Sequence, residues 1–218
     1  MMKKRVAVLI SGRGSNMTAL IEACKDPAYP AEIIAVLSNK PDAAGLDVAR
    51  SHGIEAIAVP QKDYPSRAAH EEALNAELAR IAPDVICLAG YMRLMSADFV
   101  GQWEGRMINI HPSLLPLFKG LDSHARALES GMRVHGCTVH FVTAEMDGGP
   151  IIAQGVVPVK ADDTEETLSA RVLKVEHKLY PLALKLVAEG KVAMVGGEAR
   201  FQGPEGTETA FLLSPNIG

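Results

Sequence analysis

An α/β domain on a largely parallel, twisted sheet is the fold class this sequence predicts, and three observations predict it. Short apolar runs alternate with helical patterns over the first half of the chain, the pattern of strands joined by crossover helices on both faces of a sheet. A glycine-rich turn, Ser11-Gly12-Arg13-Gly14-Ser15-Asn16, joins the first apolar run to the first helical pattern. Near residue 134 the alternation gives way to two strands joined by a loop with no room for a crossover helix, so these late strands are antiparallel neighbours at one side of the sheet.

Strands are expected over residues 6–10, 33–37, 56–59, 85–89 and 107–110, each apolar and rich in Val, Ile, Leu or Ala. Helices are expected between them, over 16–24, 44–51, 66–81 and 97–103. The late strands are 134–142 and 151–159. Thr164 then reads as an N-cap, and helical spacing runs over 168–187, with Pro181 placed to kink or divide it. From Val192 a further short strand leads into a Gly/Pro-rich end with little pattern. No repeat or linker divides the 218 residues, so one domain is the simplest organisation. Within it, residues about 1–100 form an anion-binding half, about 101–190 a catalytic half, and about 191–218 a tail.

Composition narrows the class. The formal net charge is −4 with no long basic run, which disfavours nucleic acid as the main partner. No apolar run approaches the length that spans a bilayer, and the stretch after the basic start is too short for a signal peptide. Cys24, Cys87 and Cys137 form no C-x-x-C pair or disulfide framework, so they read as thiols in a reducing compartment, the cytoplasm.

Two constellations carry chemistry. The glycines of the Ser11–Asn16 turn allow a tight approach, and the helix that follows offers free N–H groups and a partial positive charge to an anion. It is an incomplete dinucleotide fingerprint, because Met17 stands where a third glycine belongs and Ser38-Asn39-Lys40 supplies no ribose-binding acid. A phosphate monoester fits it better than a nicotinamide dinucleotide. The second is Asn109-Ile110-His111-Pro112-Ser113-Leu114-Leu115-Pro116, with Asp147 following 36 positions after His111 in Met146-Asp147-Gly148-Gly149. Asn109 and His111 fall on one strand face near a carboxyl end, where open α/β sheets hold their ligands. An amide can hold an oxyanion, an imidazole can move a proton, and a carboxylate can set the imidazole's charge. Acyl transfer is the chemistry this set suits, provided the Asp147 loop returns to His111. His124, His135, His140 and Asp122 match no zinc spacing, and no metal is expected. His135 and His140 bracket a strand and read as partners of the active loop or as core.

The segments Asn109 to Pro116, His135-Gly136-Cys137-Thr138-Val139-His140 and Asp147-Gly148-Gly149-Pro150-Ile151 resemble the folate-dependent formyltransferases. With the Ser11–Asn16 loop, Tyr64-Pro65-Ser66-Arg67 and Gly90-Tyr91-Met92-Arg93-Leu94-Met95, the similarity narrows to the phosphoribosylglycinamide formyltransferases of de novo purine synthesis. It covers about residues 6–181. It implies a Rossmann-like formyltransferase fold, 10-formyltetrahydrofolate as donor and the amine of glycinamide ribonucleotide as acceptor. By position it implies Asn109, His111 and Asp147 as the catalytic trio. Gly14, Ser15, Asn16 and Glu176 would hold the ribonucleotide. Arg67, Met92, Arg93, Leu94, Met95 and Asn109 would hold the folate. Leu173 and Asp122 depart from the pattern of many members, Leu173 where some carry a polar residue and Asp122 where His or Asn is common. A tRNA formyltransferase carries an extra C-terminal domain, a formyltetrahydrofolate deformylase an N-terminal one, and a non-catalytic nucleotide-binding Rossmann protein is the reading from another class. A monomer or homodimer acting on small molecules, away from membranes, is expected, with loops 116–123 and 142–150 as candidate mobile segments.

Overall fold

A computed structural model describes residues 2–203. Seven strands form one sheet: β1 (Lys4–Ile10), β2 (Ala31–Ser38), β3 (Glu55–Ala58), β4 (Val85–Leu88), β5 (Met107–His111), β6 (Val134–Phe141) and β7 (Ile151–Pro158). Their spatial order is β3-β2-β1-β4-β5-β6-β7. The first five pair in parallel, and β6 and β7 run antiparallel at one side. The expected late antiparallel pair is therefore present. The chain winds outward from β1 in one direction and then returns to the other side at β4. The crevice between β1 and β4 is thus the topological switch point, where sheets of this kind bind ligands.

Strand periodicity divides the core. Val6, Val8 and Ile10 face helices α1 (Ser15–Cys24), α2 (Ala44–Ser51) and α6 (Glu165–Ala188). Ala7 and Leu9 face α3 (Arg67–Ile81) and α4 (Ala97–Gln102). Every residue of β1 from Val6 to Ile10 is fully buried, as a parallel strand covered on both faces requires.

Three elements differ from the sequence reading. Helix α6 runs unbroken through Pro181. Its buried face, from Leu168 through Tyr180 to Leu184, packs along the sheet, and the Pro181 carbonyl accepts a hydrogen bond from Tyr29 at 2.7 Å. Tertiary packing outweighs the missing N–H there. A short helix, α5 (Ser123–Glu129), follows the His-Pro segment and packs on α6; it was not expected. The strand at Val192 is the first half of a hairpin, β8 (Val192–Val195) and β9 (Glu198–Phe201). Gly196 and Gly197 both have positive φ at its turn, the conformation a two-residue hairpin loop demands. The expectation of a patternless end from residue 204 onward lies outside the described residues. Among the described residues, no helix is long and apolar enough to cross a membrane.

Candidate active site

A cavity of about 640 Å³ opens at the carboxyl ends of β4 and β5, a size that suits a small-molecule ligand. Strand β5 delivers Asn109 and His111 to it, both from one face. The antiparallel register sets Asn109 opposite His140 and His111 opposite Thr138, so the Asn109 side chain meets the His140 ring across the strands. The contact is Asn109 Nδ2 to His140 Nε2 at 3.3 Å. His140 Nδ1 lies 2.8 Å from the Phe141 carbonyl. A carbonyl only accepts, so Nδ1 carries the hydrogen and Nε2 accepts from the amide. Burial holds His140 below the ordinary histidine value, which keeps that neutral tautomer in place. One hydrogen of the Asn109 amide is thereby used, and the other is left for a ligand.

Asp147 does return to His111. Its Oδ2 lies 3.4 Å from His111 Nδ1, and its Oδ1 3.8 Å from His140 Nε2. The turn that brings it back depends on its neighbours. Asp147 itself has φ 50°, a left-handed conformation that Asp tolerates better than most residues. A Cβ on Gly149 would sit 1.8 Å from the Phe141 carbonyl oxygen, so only glycine lets the loop fold against β6. Gly120 N–H donates to Asp147 Oδ2 at 2.9 Å, and Lys119 Nζ meets Glu145 at 2.6 Å. The loops 112–122 and 142–150 are clasped by these two contacts, and both border the cavity. His111 Nε2 lies 3.0 Å from the Phe118 carbonyl. Both ring nitrogens of His111 therefore face oxygens.

At the other end of the cavity, Asn16 Nδ2 donates to Glu176 Oε2 at 2.7 Å, joining α1 to α6. Asn16 Oδ1 is buried with no partner among the described residues. Burial pushes the Glu176 carboxyl up from its ordinary value, with the Asn16 bond opposing. Gly14, at φ 73°, caps α1 without a side-chain bond, which leaves first-turn N–H groups of that helix open. Gly14 and Ser15 lie beside Asn16 rather than in the cavity wall. Leu173, one turn before Glu176, is half-buried and also outside the wall. Asp122 has φ 57°, stands at the N-cap of α5 and lines the cavity.

The third wall is apolar. Met92, Arg93, Leu94 and Met95 line it, with Met92 64% and Leu94 62% exposed. Large apolar side chains displayed along a cavity suit a flat ring. Arg67 is not brought to this wall: it stands exposed at the start of α3, with Nε 3.8 Å from Glu71. His140, read from the sequence as a partner of the active loop or as core, is buried and meets Asn109 across the strands. His135 pairs with His124, Nε2 to Nδ1 at 3.2 Å, and its ring packs edge-on to Phe118. It is fully buried and reaches the active loop through that ring contact.

The formyl transferase family model matches residues 4–184. The chain belongs to the formyl transferase family. Among its curated relatives is the phosphoribosylglycinamide formyltransferase of Escherichia coli, 47% identical over 91% of this chain and 93% of that one. The trifunctional purine biosynthetic protein adenosine-3 of Bos taurus is 52% identical over 88% of this chain. The chain spans only 19% of that protein's length. Among solved formyl transferase structures, the phosphoribosylglycinamide formyltransferase from Brucella melitensis superposes with a TM-score of 0.83 at 57% identity, covering 85% of this chain and 96% of that one. The glycinamide ribonucleotide transformylase 1 from Symbiobacterium toebii gives 0.89 at 45%, covering 92% and 95%. The parallel sheet with its late antiparallel strands is thus the formyltransferase fold.

Proposed function

We propose that this chain transfers a formyl group from 10-formyltetrahydrofolate to the amine of glycinamide ribonucleotide, a step of purine biosynthesis. The observation that carries the reading is the convergence of Asn109, His111 and Asp147 on one end of a cavity. An anion-ready helix terminus stands beside it and an apolar wall faces it. The folate donor supplies the formyl group, and the wall of Met92, Leu94 and Met95 fits its flat ring.

The residues then have separable tasks. Ser15 and Asn16, with Gly14, receive the phosphate at the start of α1, and Glu176 takes a ribose hydroxyl. The amine adds to the formyl carbon, and an oxyanion develops. The free amide hydrogen of Asn109 and the positive edge of His111 stabilise it. Asp147 accepts the proton that the amine loses, and His111 supplies the proton that the departing folate nitrogen gains. Asp147 then returns its proton to His111, and the pair is restored. The bond from the formyl carbon to the folate nitrogen breaks as the bond to the amine is kept, so no side chain is acylated. The enzyme acts on small molecules, as a monomer or homodimer, in the cytoplasm.

Folate absorbance, followed with and without glycinamide ribonucleotide, tests the reading. Turnover that requires the amine is the expected result. Equal turnover without it identifies a deformylase and overturns the assignment.

A further inference from the structure

The apolar wall poses a physical problem. Between Tyr91 and Ser96 the chain has neither helix nor strand, so no backbone ladder fixes it. As the folate wall, it would nevertheless have to hold a ring in a set position relative to Asn109. The backbone donors at its two ends are taken up from outside. At its far end, Ser96 N–H donates to the buried Glu71 carboxylate at 2.9 Å, and the Ser96 hydroxyl donates to the other Glu71 oxygen. At its near end, Met92 N–H donates to Ser11 Oγ at 2.8 Å, while Ser11 N–H donates to the Gly90 carbonyl at 3.1 Å.

Ser11 is the first residue of the turn that leads to the open N-terminus of α1. Its hydroxyl accepts from Met92 and donates onward to Asn39 Oδ1 at 2.6 Å. Asn39 Nδ2 donates to Gln61 Oε1 at 3.2 Å, and Arg93 Nη1 donates to the same oxygen. Ser11 and Asn39 are both buried. A closed polar path thus leaves the wall at Met92, crosses the switch-point crevice, and rejoins the wall at Arg93. The mechanism above uses neither Ser11 nor Asn39.

We infer that Ser11, backed by Asn39 and Gln61, is a positioning residue that fixes the folate-facing wall against the anion-binding turn, so that the two substrates meet at a set separation. This rests on the reading of Met92–Met95 as the folate wall. Ser11→Ala leaves Met92 N–H and Asn39 Oδ1 without partners in a buried place, a loss on the scale of one buried hydrogen bond.

The test is steady-state kinetics on the full chain, varying each substrate separately. Ser11→Ala is expected to raise the KM for 10-formyltetrahydrofolate about tenfold, or about 1.4 kcal/mol. The KM for glycinamide ribonucleotide should move less than about threefold on the same scale. Ser11→Thr, which keeps the hydroxyl, should restore most of the loss. Gln61→Ala, at a less buried position, gives the same direction at about threefold and serves if Ser11→Ala does not fold. Leu94→Ala reports on the wall itself. A raised folate KM in Leu94→Ala with none in Ser11→Ala or Gln61→Ala overturns the inference and leaves the wall intact. No change in any of them overturns the wall reading, and the inference with it. Equal rises in both KM values, not rescued by threonine, mark general loosening and also overturn it.

Discussion

The two ends of the cavity are built by different means. The Asn16–Glu176 end uses a helix terminus, a glycine turn and a parallel strand, parts that lie close together in the chain except for Glu176. The His111–Asp147 end uses an antiparallel register and two clasped loops, so the contacts that close it, Asn109–His140 and Gly120–Asp147, join residues far apart in sequence. Main-chain dipoles suffice to hold a substrate's anion, because its charge does not change during reaction. Groups that move protons must be side chains, set by partners that fix tautomer and direction. His140 serves Asn109 in that way, and the Phe118 carbonyl serves His111.

If that division is right, damage at the two ends should appear in different kinetic constants. The largest effect is expected for His111→Ala, which should lower kcat about a thousandfold with little change in either KM. Next, His140→Phe removes the acceptor that orients Asn109. It should lower kcat about thirtyfold while both substrates still bind; isothermal titration with a folate analogue separates the two effects.

Glu176→Gln should behave in the opposite way. It should raise the KM for glycinamide ribonucleotide about tenfold with kcat nearly kept. It should also stabilise the unliganded protein. The folded-state pKa of Glu176 is raised, so the protonated carboxyl is the form that folding favours. That contribution is present below the unfolded value and is lost as pH rises through the folded one. At neutral pH the neutral amide avoids this loss, and Tm should rise by about 3 °C, a gap that closes as pH falls into the carboxylate range. An unchanged Tm would break the claim that the substrate end stores a buried charge.

The smallest effect concerns the loop support. Burial holds His135 down to about 4, below its ordinary value, so folding favours the neutral ring. Stability is therefore full above the unfolded histidine value and is lost as pH falls toward 4. Urea midpoints measured across that range should decline in the wild type, and His135→Gln should flatten the decline.

What could be read from the sequence follows the same division. The strand–glycine turn–helix unit and the Asn109-x-His111 spacing are local patterns, and both stand where they were expected. The α/β alternation likewise gave β1 to β5 and their helices. Helix α5 escaped because it has seven residues, begins at a left-handed Asp122 and follows a Pro- and Gly-containing loop, so neither period nor cap announces it. The β9 strand is short and mostly exposed, although Gly196-Gly197 marked its turn. The Asn109–His140 contact depends on strand register, which no window of sequence contains. Arg67 satisfied a positional resemblance, yet its place at the outer end of α3 leaves it in solvent beside Glu71.

The central claim is that a loop folded back from residue 147 completes a proton-moving pair with His111. Single-turnover formyl transfer by Asp147→Asn, with folate-analogue affinity measured on the same preparation, tests it most directly. The account predicts transfer slowed about a thousandfold with affinity within about threefold of wild type. Transfer at near wild-type rate, or a loss explained wholly by weakened folate binding, would contradict it.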